Sequence, residues 1–244
     1  MKRKKEGFVL NEILVVIGII LVIAGISFRL INAVLNKAKV VTAKSQIATL
    51  AFILEEIKDD TGYYPVHLSD ILRKDPPPMM GRNWKGPYLN KEEIPLDPWK
   101  HPYFYRIPST TLFSSPQLPR EYGIPQVYTF NFKAVPGQAT IRVENYGVTA
   151  CTCWLNGDKV LTENMFKKNP KPQIIEKEIN LRENNELRIR VRSQPGEVLY
   201  ISISGYVPTD QYFILGSYGK DGQEGGKGWN KDIIWVSNKY PNFQ

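Results

Sequence analysis

A single carboxylate, Glu12, stands near the start of an apolar run covering residues 8–28. Left alone in hydrocarbon, such a charge costs several kcal/mol, so something must make its position worthwhile. A second chemistry-bearing stretch lies near the other end of the chain. There Asp221-Gly222 opens a glycine-rich segment that runs through Gly228 to a second carboxylate, Asp232. Hard oxygen ligands on a flexible backbone suit Ca2+. The same residues also suit a turn whose carboxylates only cap backbone N–H groups.

Other reactive residue types carry less. His67 and His101, in Val-His-Leu and Lys-His-Pro contexts, have no nucleophile near them in sequence, and no glycine-rich loop carries a P-loop lysine. The expectation is that the chain is not an enzyme. Cys151 and Cys153 are one residue apart, which in a strand puts both on one face, too far apart along it for a comfortable mutual disulfide. They read as buried or free thiols, and a zinc site has little support. The net charge of +8 is spread out, part of it in the Lys2-Arg3-Lys4-Lys5 leader and part in Lys37, Lys39 and Lys44. That is a solvated surface rather than a concentrated basic patch, and nucleic acid is not an expected partner.

The elements that position Glu12 come first in the chain. Residues 13–60 read as one long helix, free of Pro and rich in helix formers. Its first part, 8–28, is long and apolar enough to span a bilayer. Beyond Arg29 the pattern turns amphipathic, with Ile31, Val34, Leu35, Ala38, Val41, Ala48, Ala51, Phe52 and Leu54 at helical spacing, which predicts packing on a soluble domain. The helix stops at Gly62 and Pro65, and a short helix is predicted at 68–72 before the Pro76-Pro77-Pro78 breaker.

The basic leader, then Gly7-Phe8 and Glu12, resembles the signal of the type IV pilin and pseudopilin superfamily. Three later blocks narrow the likeness. Glu55 with Gly62-Tyr63-Tyr64-Pro65, the Trp84-Lys85-Gly86-Pro87-Tyr88 block and the Asp97-Pro98-Trp99-Lys100-His101-Pro102-Tyr103 block, in that order, look like the major pseudopilin of the type II secretion system. The loop from Ser217 to Asp232 matches the same family, so the likeness covers residues 7–106 and 212–233. It implies cleavage after Gly7 by a prepilin peptidase, N-methylation of Phe8, and pairing of Glu12 with the amino terminus of a neighbouring subunit. It also implies a calcium ion held by Asp221, Asp232 and the carbonyl of Tyr218. Lys227 stands where an acidic residue is common in the family, and Ile234-Trp235-Val236 replaces a more polar ending.

Between those parts, residues 107–211 have another texture. A Pro- and Ser-rich linker (Pro108, Ser109, Ser114, Ser115, Pro116, Pro119) leads into six strand-like runs at 127–132, 139–144, 151–155, 174–181, 187–192 and 198–204. Asn156-Gly157 between two of them signals a tight hairpin. The prediction is an inserted β-sandwich. Its Trp154-Leu155-Asn156-Gly157 and Asn185-Glu186-Leu187-Arg188-Ile189-Arg190-Val191 runs resemble the jelly-roll accessory modules of carbohydrate-active enzymes. Arg188, Arg190 and Arg192 fall on one strand face, read either as a solvated outer face or as a surface for anions or glycans, and Trp154 is expected in the core.

The expected fold is therefore α+β: a leader at 1–7, a pilin-like domain at 8–106 plus 212–244 built from the long helix on a small antiparallel sheet, and an all-β insert at 107–211. The expected function is a subunit of a type II secretion pseudopilus, held in the inner membrane by a single span with its C-terminal domains in the periplasm. Its partners would be other copies of itself, minor pseudopilins, the peptidase and the inner-membrane assembly platform. The alternatives are a surface pilin whose insert binds carbohydrate, and a membrane-tethered enzyme carrying a sugar-binding module.

Overall fold

The computed structural model describes residues 10–81, 83–166, 172–238 and 243. Helix α1 covers Leu10–Thr61, 52 residues or about 78 Å at 1.5 Å per residue. Thr42, Thr49 and Thr61 turn their hydroxyls back onto the carbonyls four residues earlier, which satisfies those hydroxyls within the helix. Gly62 ends it in the left-handed conformation, φ 86°, and donates its N–H to the Lys58 carbonyl at 2.7 Å.

Only the last third of α1 packs on its own chain. Ala43, Ile47, Leu50, Ala51, Leu54 and Ile57 are buried at 0–2% exposure and form the helix side of one core. Burial of each large member contributes about 2 kcal/mol. The expected packing of Ile31, Val34, Leu35, Val41 and Phe52 is corrected: all are more than half exposed. The soluble core does not reach below residue 40, and Phe52 lies on the side of α1 away from it. Near its N-terminus α1 holds an 18-residue window long and apolar enough to cross a membrane, none of it buried against the rest of the chain.

The sheet beneath α1 is three-stranded and antiparallel. It consists of β1 (Phe104–Arg106), β11 (Ile214–Ser217) and β12 (Ile233–Val236), in the order β1-β11-β12. Phe213, Leu215 and Ile233 meet α1 in the core. The expected short helix is a 3-10 turn at Leu68–Leu72.

The chain between β1 and β11 builds the other nine strands. One sheet has the order β2-β10-β5-β8 from β2 (Thr110–Ser114), β10 (Val198–Gly205), β5 (Gly137–Tyr146) and β8 (Gln173–Leu181), with β3 (Leu118–Pro119) also paired to β10. The other has the order β4-β9-β6-β7 from β4 (Val127–Lys133), β9 (Asn184–Arg192), β6 (Ala150–Leu155) and β7 (Asp158–Leu161). Their inner faces close over one core that includes Ile141, Ile201, Leu187, Ile189 and both cysteines. All ladders in these two sheets are antiparallel. This is an α+β fold with an additional β-sandwich. Asn156 and Gly157 both have positive φ, 52° and 91°, as the tight hairpin between β6 and β7 requires.

Two expectations change here. The segment read as linker contains β2, which pairs with β10 from Thr110↔Gly205 to Ser114↔Ser202. Trp154 is half-buried rather than in the core, because it alternates with Cys153 and Leu155, which take the inner face. The return from the sandwich is fastened to the end of α1. Tyr64 and Thr209 exchange backbone hydrogen bonds of 2.8 and 3.2 Å, and Lys58 Nζ donates to the Asp210 carbonyl at 2.8 Å.

Candidate functional site

The loop between β11 and β12 is held from outside by the Asp97-Pro98-Trp99-Lys100-His101 turn. Asp97 is 3% exposed. One carboxylate oxygen accepts the N–H groups of Trp99 and His101 at 2.9 and 2.8 Å; the other accepts the Ser217 hydroxyl at 2.5 Å. Ser217 Oγ in turn accepts the N–H of Gly219 at 3.1 Å. One buried carboxylate therefore closes its own turn and sets the start of the loop. His101 adds a contact of 3.3 Å from Nε2 to the Lys220 carbonyl.

Within the loop, 3-10 turns at Gly219–Asp221 and Gly228–Asn230 fold back on each other. Gly219 has φ 71°, and a side chain there would meet the carbonyl oxygens of Lys231 and Trp229 at 2.8 and 3.0 Å. Gly226 has φ 84°, and a side chain would stand 2.5 Å from the Asn230 carbonyl oxygen. Both glycines are needed for this close backbone approach. Asp221 accepts the N–H of Gln223 at 3.3 Å, and both oxygens of Asp232 lie 3.0–3.1 Å from the N–H of Gly225.

The expected metal ligands Asp221, Asp232 and Tyr218 thus share one loop. Among the described residues no three His, Cys, Asp or Glu side chains gather into a metal cluster, so a cation here would take two carboxylates completed by backbone carbonyls. Such an all-oxygen donor set is of the kind a hard divalent cation such as Ca2+ takes. The cap-only reading is also represented, since each carboxylate accepts one backbone N–H.

Tyr218 is fixed on its other side. Its ring stacks on Phe104 at 4.5 Å, and its hydroxyl accepts from Arg106 at 2.8 Å. Arg106 also pairs with Glu224 at 3.1 Å and holds that carboxyl below the usual range. The turn around Asp97, together with His101 and Arg106, supports the loop, and none of these three is singled out by sequence as a site residue. The available signal is the Asp-Pro-Trp block itself.

The second candidate site is the start of α1. Gly7 and Phe8 lie outside the described residues. Glu12 is in the first turn of the helix, exposed, and among the described residues has no ion-pair partner.

Residues 30–115 match the family described as Type II secretion system (T2SS), protein G. The "Type II secretion system core protein G" of Pseudomonas aeruginosa is 34% identical over 113 residues, covering 45% of this chain and 78% of that protein. That of Xanthomonas campestris pv. campestris is 37% identical over 105 residues, covering 43% and 70%. The chain belongs to the type II secretion system protein G family. It is a pseudopilin, a structural component of a secretion system, and its N-terminal apolar helix is the membrane-anchoring element. In this pseudopilin the matched part takes in the packed end of α1, the Asp97 turn and β1.

Proposed function

We propose that this pseudopilin is a polymerising subunit of a secretion pseudopilus. A prepilin peptidase cuts after Gly7, Phe8 becomes the methylated first residue, and the helix sits in the inner membrane with the folded parts in the periplasm. The inner-membrane assembly platform then draws subunits into a filament together with minor pseudopilins, and the filament drives protein export across the outer membrane. The observation that carries this reading is Glu12, a lone carboxylate at the head of an apolar helix that its own chain leaves uncovered. An ammonium from the next subunit is the partner that makes its burial tolerable. The deciding experiment compares exported proteins and filaments in the native host with the gene intact, deleted, and carrying Glu12→Ala. Loss of export and filaments in both altered strains supports the reading; export and filaments unchanged by the deletion would refute it, and normal filaments from Glu12→Ala would remove Glu12 from the assembly step.

The Ser217–Asp232 loop is proposed to hold Ca2+ through Asp221, Asp232 and the Tyr218 carbonyl. A bound divalent charge would tie the two ends of the loop together. Asp97, Ser217 and His101 position the backbone, and Arg106 orients the Tyr218 ring.

A second reading, carbohydrate binding by the sandwich, is favoured by one feature. A groove of about 550 Å³ is lined by Asn131, Asn156, Asn184 and Asn185 with Phe132, and by Lys133 and Glu186. Polar side chains beside an aromatic ring suit a sugar. Binding of the full-length protein to a glycan array, lost in Asn131→Ala with Asn184→Ala, is the test.

A further inference from the structure

Charge is divided between the two outer faces of the sandwich. On the four-stranded sheet, β9 alternates Leu187, Ile189 and Val191 inward with Arg188, Arg190 and Arg192 outward. Arg192 is taken by Glu163 at 3.3 Å. Arg188 and Arg190 instead lie over the ring of Trp154, at 4.9 and 5.3 Å from its centre, and among the described residues neither pairs with a carboxylate. The Nε of Arg190 is buried without a hydrogen-bond partner. An indole holds guanidiniums in place but does not neutralise them.

The outer face of the other sheet has the opposite character. Glu144, Glu176 and Glu178 stand on it beside Arg142, which bonds Glu144 and Glu176 at 3.2 and 2.6 Å. Beside them Tyr146, Tyr200 and Ile174 are 48%, 38% and 58% exposed, and the two tyrosine rings meet edge-on at 6.0 Å. Carboxylates next to exposed aromatic rings are what paired guanidiniums bind, by charge-assisted hydrogen bonds and cation–π contact.

We propose that these two faces dock on each other between successive copies of this chain, the Arg188–Arg190–Trp154 face of one against the Glu176–Glu178–Tyr200 face of the next. A contact between two different patches is heterologous, and when its rotation does not close it generates an open helical array, the arrangement a filament needs. The proposal rests on the polymerising reading above. Once the helices have assembled, neighbouring inserts are held at high effective concentration, so a contact too weak to pair free molecules forms along the filament. An anionic polysaccharide would engage the arginine face alone and leave the acidic, aromatic face without a role, which is why a second copy is the better fit.

The test uses full-length protein in its host, with one cysteine on each face, Thr129→Cys and Ser202→Cys. These positions face Arg188 and Arg142 across their ladders and leave the charges in place. Filaments are counted by electron microscopy, and mild oxidation is followed by gel separation. The expected result is a ladder of cross-linked multimers. Arg188→Glu with Arg190→Glu cuts it roughly tenfold while filaments persist, and adding Glu176→Lys with Glu178→Lys restores it. Filaments without a ladder, or a ladder indifferent to the arginine reversal, overturn face-to-face docking and leave polymerisation standing. Absence of filaments from the unaltered protein overturns the polymerising reading and this proposal with it. A ladder that is lost on arginine reversal, is not restored by the lysines, and is suppressed by added anionic polysaccharide assigns the arginine face to that polymer and overturns the docking.

Discussion

The hydroxyl of Ser217 donates a 2.5 Å hydrogen bond to the carboxylate of Asp97, 120 residues earlier in the chain, and both side chains are buried. This bond spans the whole sandwich in sequence and ties the Asp97 turn to the end of β11, where the loop begins. Asp97→Ala leaves two backbone N–H groups and a hydroxyl without their acceptor, and is expected to cost about 3 kcal/mol. Ser217→Ala is expected to cost about 1 kcal/mol. Denaturant titration of the two single variants and the double variant checks both values; strict additivity would contradict the shared network.

Calcium dependence is expected to lie in the same loop. Addition of Ca2+ raises the Tm of the unaltered protein, and Asp221→Asn or Asp232→Asn removes that rise. Differential scanning fluorimetry with Ca2+ and with a chelator is the measurement. An unchanged rise in both variants leaves the carboxylates as caps only.

Glu12→Ala is expected to insert in the membrane in normal amounts yet fail to enter filaments. Membrane fractionation measures the first effect and filament counts the second. The variant removes a charge from a surface that touches nothing else in the described chain, so folding of the soluble parts stays unchanged.

Both cysteines are expected to be inert in the folded protein. Burial pushes the Cys151 thiol up to about 12 and raises that of Cys153 further, and both side chains are fully enclosed. The nucleophilic thiolate is therefore scarce at neutral pH. A thiol-reactive dye should label neither residue until denaturant is added, when it labels both.

Acid should weaken the clasp between α1 and the Trp84–Tyr88 segment. Lys85, at 2.5 Å, and the Tyr88 hydroxyl, at 2.9 Å, hold the Asp60 carboxyl below its ordinary 3.8. A depressed carboxyl contributes stability that is full above 3.8 and is lost as pH falls through the lower folded value. Lys85→Met should reduce this acid dependence in pH-resolved unfolding curves.

Much of the fold is legible from sequence because the patterns are local. The long helix, the Asn156-Gly157 hairpin and the alternation of β9 each follow from neighbours a few residues apart. β2 escapes such a reading because Pro108, Ser109, Ser115 and Pro116 frame it like a linker; only its partner β10, about 90 residues away, makes it a strand. The size of Trp154 argues for burial, whereas strand parity gives the inner face to Cys153 and Leu155. The exposed stripe from Ile31 to Val41 has core-like periodicity but no core beside it in a single chain. The loop ligands are nameable from Asp, Gly and spacing, while the Asp97–Ser217 tie depends on a contact that no local pattern encodes.

The fastening of the sandwich beside the end of α1 has a mechanical consequence. A pull or thrust along α1 enters the molecule through Ala43 to Ile57 and passes into β11 and β12, which pack against that face. The sandwich is joined to this path at the end of the β1–β11 ladder, where Arg106 faces Ile214, and by the Tyr64–Thr209 bridge. It hangs beside the line of force as a passenger, so a load on α1 reaches β11 and β12 without stretching the nine strands between β1 and β11.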